Sequence, residues 1–172
     1  MGDTVRPDWS GRLRQVWRLP PRDVSALVVS TPTNIRYLCG FDGSAGVLVC
    51  TANSDWLILD GRYARAAERG RERGLIGPVE VLTASGSLDE RLADLLSELG
   101  ASSIGFEAGF VTVATLQNWE RRSPNVRFEA TTSWIESIRT IKDAIELATI
   151  RRSCKLLSDV ARNLRQWVIN GR

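Results

Sequence analysis

Two short polar segments, one before the first strand of a predicted β-hairpin and one after its second strand, carry side chains that could bind a charged ligand. The first is the glycine-rich loop Gly40–Gly46, which carries Asp42, and the second is Asp60–Tyr63. An antiparallel hairpin places the start of its first strand beside the end of its second, so we expect Asp42 and Arg62 to be neighbours. The planar guanidinium of Arg62 could hold a carboxylate or carbonyl oxygen, and Asp42 could accept hydrogen bonds from an ammonium group.

The same residues also have purely structural interpretations. Asp42 could cap its own turn, and Tyr63 could belong to the core. Arg62 could pair with Asp60 or with Asp42. However, the helix dipole disfavours a cation at the start of a helix, so helix formation alone does not explain an arginine at position 62. The candidate site residues are therefore Phe41, Asp42, Arg62 and Tyr63, with the two aromatic rings as apolar walls.

The chain of 172 residues contains no histidine, and this restricts its chemistry. Ser-His and Cys-His nucleophile systems, histidine-based zinc sites and the commonest general base are all excluded. Three cysteines (Cys39, Cys50 and Cys154) are widely spaced in apolar surroundings. We expect them to be buried free thiols.

Strand and helix patterns alternate along the chain, which is typical of an α/β protein. Strands are predicted at 26–30, 47–50, 56–59, 79–82, 103–107 and 126–130. Helices are predicted at 10–19 with Ser10 as N-cap, at 35–38, 62–73 and 87–99 with a Ser87–Glu90 capping box, and at 112–122 and 134–141. The hairpin makes the sheet mixed, so the predicted fold is a mixed, mostly parallel sheet with helices on both faces.

Five sequence blocks, taken in order, resemble the N-terminal domain of the creatinase/prolidase/Xaa-Pro aminopeptidase family. The blocks are Asn34–Phe41, Gly43–Gly46, Asp60–Tyr63, Ile104–Glu107, and Ile138-Arg139-x-x-Lys142-Asp143-x-x-Glu146. No single block is specific, whereas the series is. The resemblance implies a ribonuclease H-like α/β domain, which agrees with the alternating pattern.

The resemblance also implies a role. In oligomeric members of the family this domain packs against a neighbouring subunit and lines the entrance to its active site. It therefore implies that Phe41, Asp42, Arg62 and Tyr63 face a proline-containing peptide. The family's pair of divalent metals (Mn, Co or Zn) is held by two Asp, one His and two Glu of a catalytic domain, which this chain lacks. We expect no cofactor in this chain.

The C-terminal segment carries an apolar residue at alternating spacings of three and four, which predicts one long amphipathic helix. Its proposed interface residues are Leu147, Ile150, Leu157, Leu164 and Val168. We predict two parts, 1–142 as the α/β domain and 143–172 as a helix leading into the missing catalytic domain. The resemblance implies that this helix contacts that domain. The alternative is a free-standing interaction module that dimerises through the helix.

A third interpretation is a metal-dependent nuclease on a ribonuclease H-like scaffold, using Asp42, Asp60 and Glu107. Glu107 could equally cap the turn that follows it. The net charge of +3 gives little support to nucleic-acid binding. The chain has no run of about 20 apolar residues and no signal-peptide core, so we expect a cytoplasmic protein without membrane contact.

Overall fold

A computed structural model describes residues 6–18 and 23–169. It contains one six-stranded sheet, and the strands are β1 (Ala26–Val29), β2 (Val47–Cys50), β3 (Asp55–Asp60), β4 (Glu80–Ala84), β5 (Ser103–Glu107) and β6 (Arg127–Thr131). The helices are α1 (Trp9–Trp17), α2 (Pro32–Cys39), α3 (Gly61–Glu72), α4 (Leu88–Glu98), α5 (Val113–Arg122), α6 (Trp134–Thr140) and α7 (Ala144–Ile169).

The strand order across the sheet is β4-β3-β2-β1-β5-β6. β2 is antiparallel to both of its neighbours, and the other pairs are parallel. The mixed, mostly parallel α/β fold predicted from the sequence is therefore confirmed. The hairpin β2–β3 pairs Val47 with Ile58, so the loop before β2 and the turn after β3 lie at the same edge of the sheet.

The sheet is covered on both faces. One core holds side chains from α1, α2, α3 and α6, such as Leu38 and Ile135. The other holds side chains from α4 and α5, such as Leu95 and Trp119. The strands β1, β2 and β5 are buried at every position, which explains why they read as continuous apolar runs.

Local signals in the sequence fix most helix starts. The capping box is present as predicted, since Glu90 N donates to Ser87 Oγ and Ser87 N donates to the Glu90 carboxylate. Thr112 caps α5 through a hydrogen bond from Thr115 N. The predicted cap of α1 was wrong, because Asp8 rather than Ser10 accepts from Gly11 N at 2.8 Å. A carboxylate two residues upstream therefore starts that helix earlier.

Glycine is required where α2 ends and the glycine-rich loop begins. Gly40 has a φ of 81°, and a Cβ atom there would lie 2.4 Å from the carbonyl oxygen of Leu75. Both the left-handed backbone and the close approach exclude a larger residue. This turn sends the chain into the loop that carries Phe41 and Asp42.

The chain divides into two compact units, one of which is Asp8–Arg139 and the other of which contains Thr140 and the residues after it. The second unit consists mainly of α7. That helix starts with a capping box, in which Glu146 N donates to Asp143 Oδ1 and Asp143 N donates to the Glu146 carboxylate. Among the described residues, no helix is both long enough and apolar enough to cross a membrane.

Candidate functional site

The turn after β3 is organised by Asp60. Its carboxylate accepts a hydrogen bond from Arg62 N at 2.9 Å and so caps α3. The same carboxylate forms an ion pair with the guanidinium, with Arg62 Nη2 at 2.7 Å from Asp60 Oδ2. This hydrogen-bonded guanidinium lowers the pKa of Asp60 below its ordinary value. The pair is held at the surface, where 78% of the Arg62 side chain is exposed.

The glycine-rich loop contacts the turn after β3, as the hairpin predicts, and the contact is formed by aromatic side chains. Phe41 is buried and meets the ring of Tyr63 edge-on, with the ring centroids 5.7 Å apart. The hydroxyl of Tyr63 is hydrogen-bonded to Ser44 Oγ at 2.8 Å. The Phe41 ring also packs over the loop, where a Cβ atom at Gly43 would lie 2.2 Å from it. These contacts fix the loop to the start of α3.

Arg62 and Asp42 are the exposed charged residues of this turn and this loop. The guanidinium carbon of Arg62 lies 5.6 Å from the centroid of the Tyr63 ring. Asp42 is exposed in the same loop. Arg62 pairs with Asp60, which was one of the two partners considered from the sequence. We call Phe41, Asp42, Arg62 and Tyr63 the rim. Within the described residues the carboxylate of Asp42 has no ion pair, and the guanidinium of Arg62 lies over the Tyr63 ring.

A buried polar network lies near the carboxyl ends of β1 and β5. The carboxylate of Glu107 accepts hydrogen bonds from Ser30 N at 2.7 Å, Thr31 N at 2.8 Å and Asn34 Nδ2 at 2.6 Å. Thr31 is the N-cap of α2 and makes no capping hydrogen bond with its own side chain. Glu107, the last residue of β5, therefore caps α2. Its negative charge is favourable at the positive N-terminal end of that helix.

Asn34 joins this cap to α6. Its Nδ2 also donates to Glu136 at 2.6 Å, and its Oδ1 accepts from Arg139 Nη1 at 2.7 Å. The amide thereby uses both its donor and its acceptor groups while it is fully buried. Sequence reasoning missed this network. A signal was present, since Asn34, Glu107 and Arg139 each lie in one of the blocks that carry the family resemblance.

A cleft of about 270 Å³ opens beside the network at the carboxyl ends of β1, β5 and β6. The chain leaves β1 towards one face of the sheet and β5 towards the other, so the cleft occupies the place where open α/β sheets often bind ligands. Its lining includes Leu27, Phe110, Thr131 and Trp134. Glu107 reaches the cleft with a carboxylate that already accepts three hydrogen bonds.

The hydrogen bonds of Glu107 and Asp60 disfavour the nuclease interpretation, in which both carboxylates would bind metal ions. Glu107 is engaged by three N–H donors, and Asp60 is engaged by Arg62 and the cap of α3. Glu107 thus caps α2 rather than the turn that follows it. Within the described residues, no three His, Cys, Asp or Glu side chains are grouped so that they could hold a metal ion.

Seven large apolar residues of α7 are exposed in the described part of this chain, with values from 40% for Leu147 to 76% for Val168. The set predicted from the sequence (Leu147, Ile150, Leu157, Leu164 and Val168) is exposed throughout. Cys154 lies on the same helix and is exposed, so its predicted burial was wrong. Cys39 and Cys50 are buried as expected, and burial raises the pKa of the Cys39 thiol to about 12.

Residues 18–141 match the model of the Creatinase/Prolidase N-terminal domain, and the chain belongs to this family. The uncharacterized peptidase YqhT of Bacillus subtilis strain 168 is 26% identical over 141 residues, which cover 82% of this chain and 38% of YqhT. The N-terminal domain of the cytoplasmic peptidase PepQ from Mycobacterium tuberculosis H37Rv is 28% identical with a TM-score of 0.62, covering 74% of this chain and 97% of that one.

The fold is also that of longer peptidases. The Xaa-Pro dipeptidase from Bacillus anthracis has a TM-score of 0.73 at 20% identity, covering 82% of this chain and 38% of that one. At this identity the likeness concerns the fold alone. The chain thus spans 38% of the length of YqhT and of the dipeptidase, and it matches nearly all of the isolated PepQ N-terminal domain.

Proposed function

We propose that this chain is the non-catalytic N-terminal domain of an Xaa-Pro aminopeptidase- or prolidase-like metallopeptidase. The observation that carries the proposal is the family match over residues 18–141, combined with relatives of which the chain spans 38%. In this account the chain by itself does not cleave peptides. Catalysis belongs to a further domain after α7, which holds a pair of divalent metals and acts on proline-containing peptides in the cytoplasm.

The second part of the proposal concerns subunit assembly and the rim. The domain contributes to a homo-oligomer, and its rim lines the entrance to the active site of a neighbouring subunit. The exposed charges of Arg62 and Asp42 support this role, because they belong to a turn and a loop that the contact between Phe41 and Tyr63 holds together. Arg62 can bind a peptide carboxylate or carbonyl oxygen, and Asp42 can bind an ammonium group.

Mixed oligomers of the longer gene product test the entrance role. One subunit carries Arg62→Ala with intact metal ligands, and the other carries intact Arg62 with one metal ligand replaced. If the rim serves the neighbouring active site, the mixed oligomer regains activity that neither variant has alone. If the mixture stays as inactive as its two components, the rim does not act across subunits. Ala66→Ser, on the exposed side of α3, is the matched control for a substitution in that helix.

The alternative function is a free-standing α/β module that dimerises through α7. The specific observation in its favour is the exposed apolar stripe of that helix, from Leu147 to Val168. An exposed apolar stripe of this length is typical of an interaction surface, whose partner is either a second helix or a larger domain. The two accounts differ in whether the gene continues beyond the codon for Arg172.

A further inference from the structure

α3 presents a stripe of arginines on its exposed side. The stripe consists of Arg62, Arg65, Arg69 and Arg73, and all four are exposed. Their spacings are three, four and four, so at about 100° per residue they project within an arc of about 80°. The buried residues Ala64 and Ala67 face the core from the opposite side of the helix.

Two glutamates are interspersed in the sequence but lie beside the stripe on the helix. Glu68 and Glu72 project to one flank of it, at about 105° and about 65° from its centre. In the described part of the chain Arg62 has an ion pair with Asp60, whereas Arg65, Arg69 and Arg73 have no ion pair. Three guanidinium groups are therefore available to a partner along one line.

Within the stripe, like charges one turn apart repel each other. A general excess of arginine does not account for the stripe, because the charges of α4 have the opposite balance. That helix carries a single arginine, Arg91, together with Asp89, Glu90, Asp94 and Glu98. Four of the five arginines from Arg62 to Arg73 thus lie along one side of α3, and Arg71 is the exception.

We propose that Arg65, Arg69 and Arg73 form a docking surface for an acidic peptide segment in an extended conformation. Residues four apart on a helix are separated by about 6 Å along its axis, and alternate residues of an extended chain by about 6.6–6.8 Å. Carboxylates at every second position of such a peptide can therefore meet successive arginines. Each contact is a charge-assisted hydrogen bond between a guanidinium and a carboxylate.

The charges beside the stripe favour a peptide over a nucleic acid. Glu68 and Glu72 flank the stripe and repel a continuous polyanion, whereas a peptide can place neutral or basic residues opposite them. The proposal does not depend on the peptidase function, because it concerns the surface of this chain alone.

Calorimetric titration of the 172-residue chain tests the proposal. The probe is an acetylated and amidated peptide in which glutamate alternates with serine, and the matched control peptide has glutamine in place of glutamate. We expect the glutamate peptide to bind at low salt, to weaken as salt is added, and to bind at least about tenfold more tightly than the control peptide.

Protein variants then locate the binding surface. Arg65→Gln, Arg69→Gln and Arg73→Gln together should reduce affinity for the glutamate peptide by about tenfold. The control variant removes three exposed arginines elsewhere (Arg121→Gln, Arg151→Gln and Arg152→Gln) and should keep the wild-type affinity. Circular dichroism melting shows that both variants are folded.

Three results would overturn the proposal. The first is that the folded wild-type chain does not distinguish the glutamate peptide from the glutamine peptide. The second is an equal loss of affinity in the control variant, because binding would then follow net charge rather than the stripe. The third is a single-stranded oligonucleotide that binds more tightly than the peptide and loses its affinity in the stripe variant, which would assign the surface to nucleic acid.

Discussion

Phe41 and Tyr63 are separated by 21 residues in sequence, yet their rings meet edge-on with centroids 5.7 Å apart. This contact joins the glycine-rich loop to the start of α3. It also brings Ser44 within hydrogen-bonding distance of the Tyr63 hydroxyl. The exposed charges of the rim are therefore supported by an aromatic pair that belongs to the core.

The first prediction concerns that aromatic pair. Phe41→Ala should lower the free energy of unfolding by about 3 kcal/mol, because it removes a buried ring and leaves a cavity. Tyr63→Phe removes only the hydrogen bond to Ser44 and should cost about 0.5–1 kcal/mol. Urea denaturation of the chain measures both. In the double variant with Ser44→Ala, Tyr63→Phe should cost almost nothing further; an additive loss would show that the hydrogen bond does not contribute.

The second prediction concerns the cap of α2. Glu107→Gln should lower the free energy of unfolding by about 2–4 kcal/mol, because it replaces a charged acceptor of three hydrogen bonds by a neutral amide. Glu120→Gln on the exposed side of α5 makes the same chemical change and should have an effect below about 0.5 kcal/mol. Equal effects of the two substitutions would mean that the capping interaction does not stabilise the fold.

The same network should show strong coupling between distant residues. Asn34→Ala and Arg139→Ala remove two sides of one hydrogen bond, so their effects on the free energy of unfolding should fall short of additivity by about 0.5–3 kcal/mol. A double-mutant cycle in urea measures this coupling. Additive effects would contradict the geometry at Asn34.

The third prediction concerns pH. The Arg62 guanidinium lowers the pKa of Asp60, so the stabilisation is fully present above the unfolded-state pKa of about 3.9 and is lost as the pH falls through the lower folded-state value. An NMR titration of the Asp60 carboxyl carbon should therefore give a midpoint below about 3.9. In Arg62→Gln the midpoint should rise. An unchanged midpoint in that variant would assign the shift to the helix cap instead.

The fourth prediction concerns the thiols. Cys154 is exposed, whereas Cys39 and Cys50 are buried and burial raises the pKa of both thiols. At a protein concentration low enough to keep the chain monomeric, a disulfide reagent should therefore modify one thiol in the native chain and three after unfolding, because the thiolate is the reactive form. Cys154→Ser should abolish the native reaction. Rapid modification of that variant would show that a buried cysteine is accessible.

The fifth prediction concerns α7. The isolated chain should self-associate, because the exposed apolar stripe of this helix gains from burial. Leu157→Glu should shift the sedimentation profile towards the monomer. Ala148→Glu places the same charge on the opposite side of the helix and should leave association intact. A wild-type chain that is monomeric at high concentration with α7 fully helical would contradict this account.

The fold could be predicted from the sequence because its signals are local. Apolar runs marked β1, β2 and β5, and the capping box at Ser87 marked the start of α4. The hairpin also predicted that the glycine-rich loop would meet the turn after β3. Helix spacing alone was less reliable for burial, as Val113 follows the apolar period of α5 and is still 72% exposed.

The polar network could not be predicted in the same way. Asn34 bonds Glu107 and Arg139, which are 73 and 105 positions away, and no local pattern links residues at such distances. Likewise, Arg62 pairs with Asp60 and not with Asp42, because Asp60 caps α3 and its carboxylate is therefore held next to Arg62. The residues of the rim could thus be identified from composition and position, whereas the partner of Arg62 depended on backbone geometry.

Sequencing the transcript across the codon for Arg172 tests the central claim most directly. The account predicts that the reading frame continues into a domain that supplies two Asp, one His and two Glu in that order as ligands for a pair of divalent metals. A stop codon directly after Arg172 would contradict the peptidase account. The exposed stripe of α7 would then be the partner-binding surface of a free-standing module.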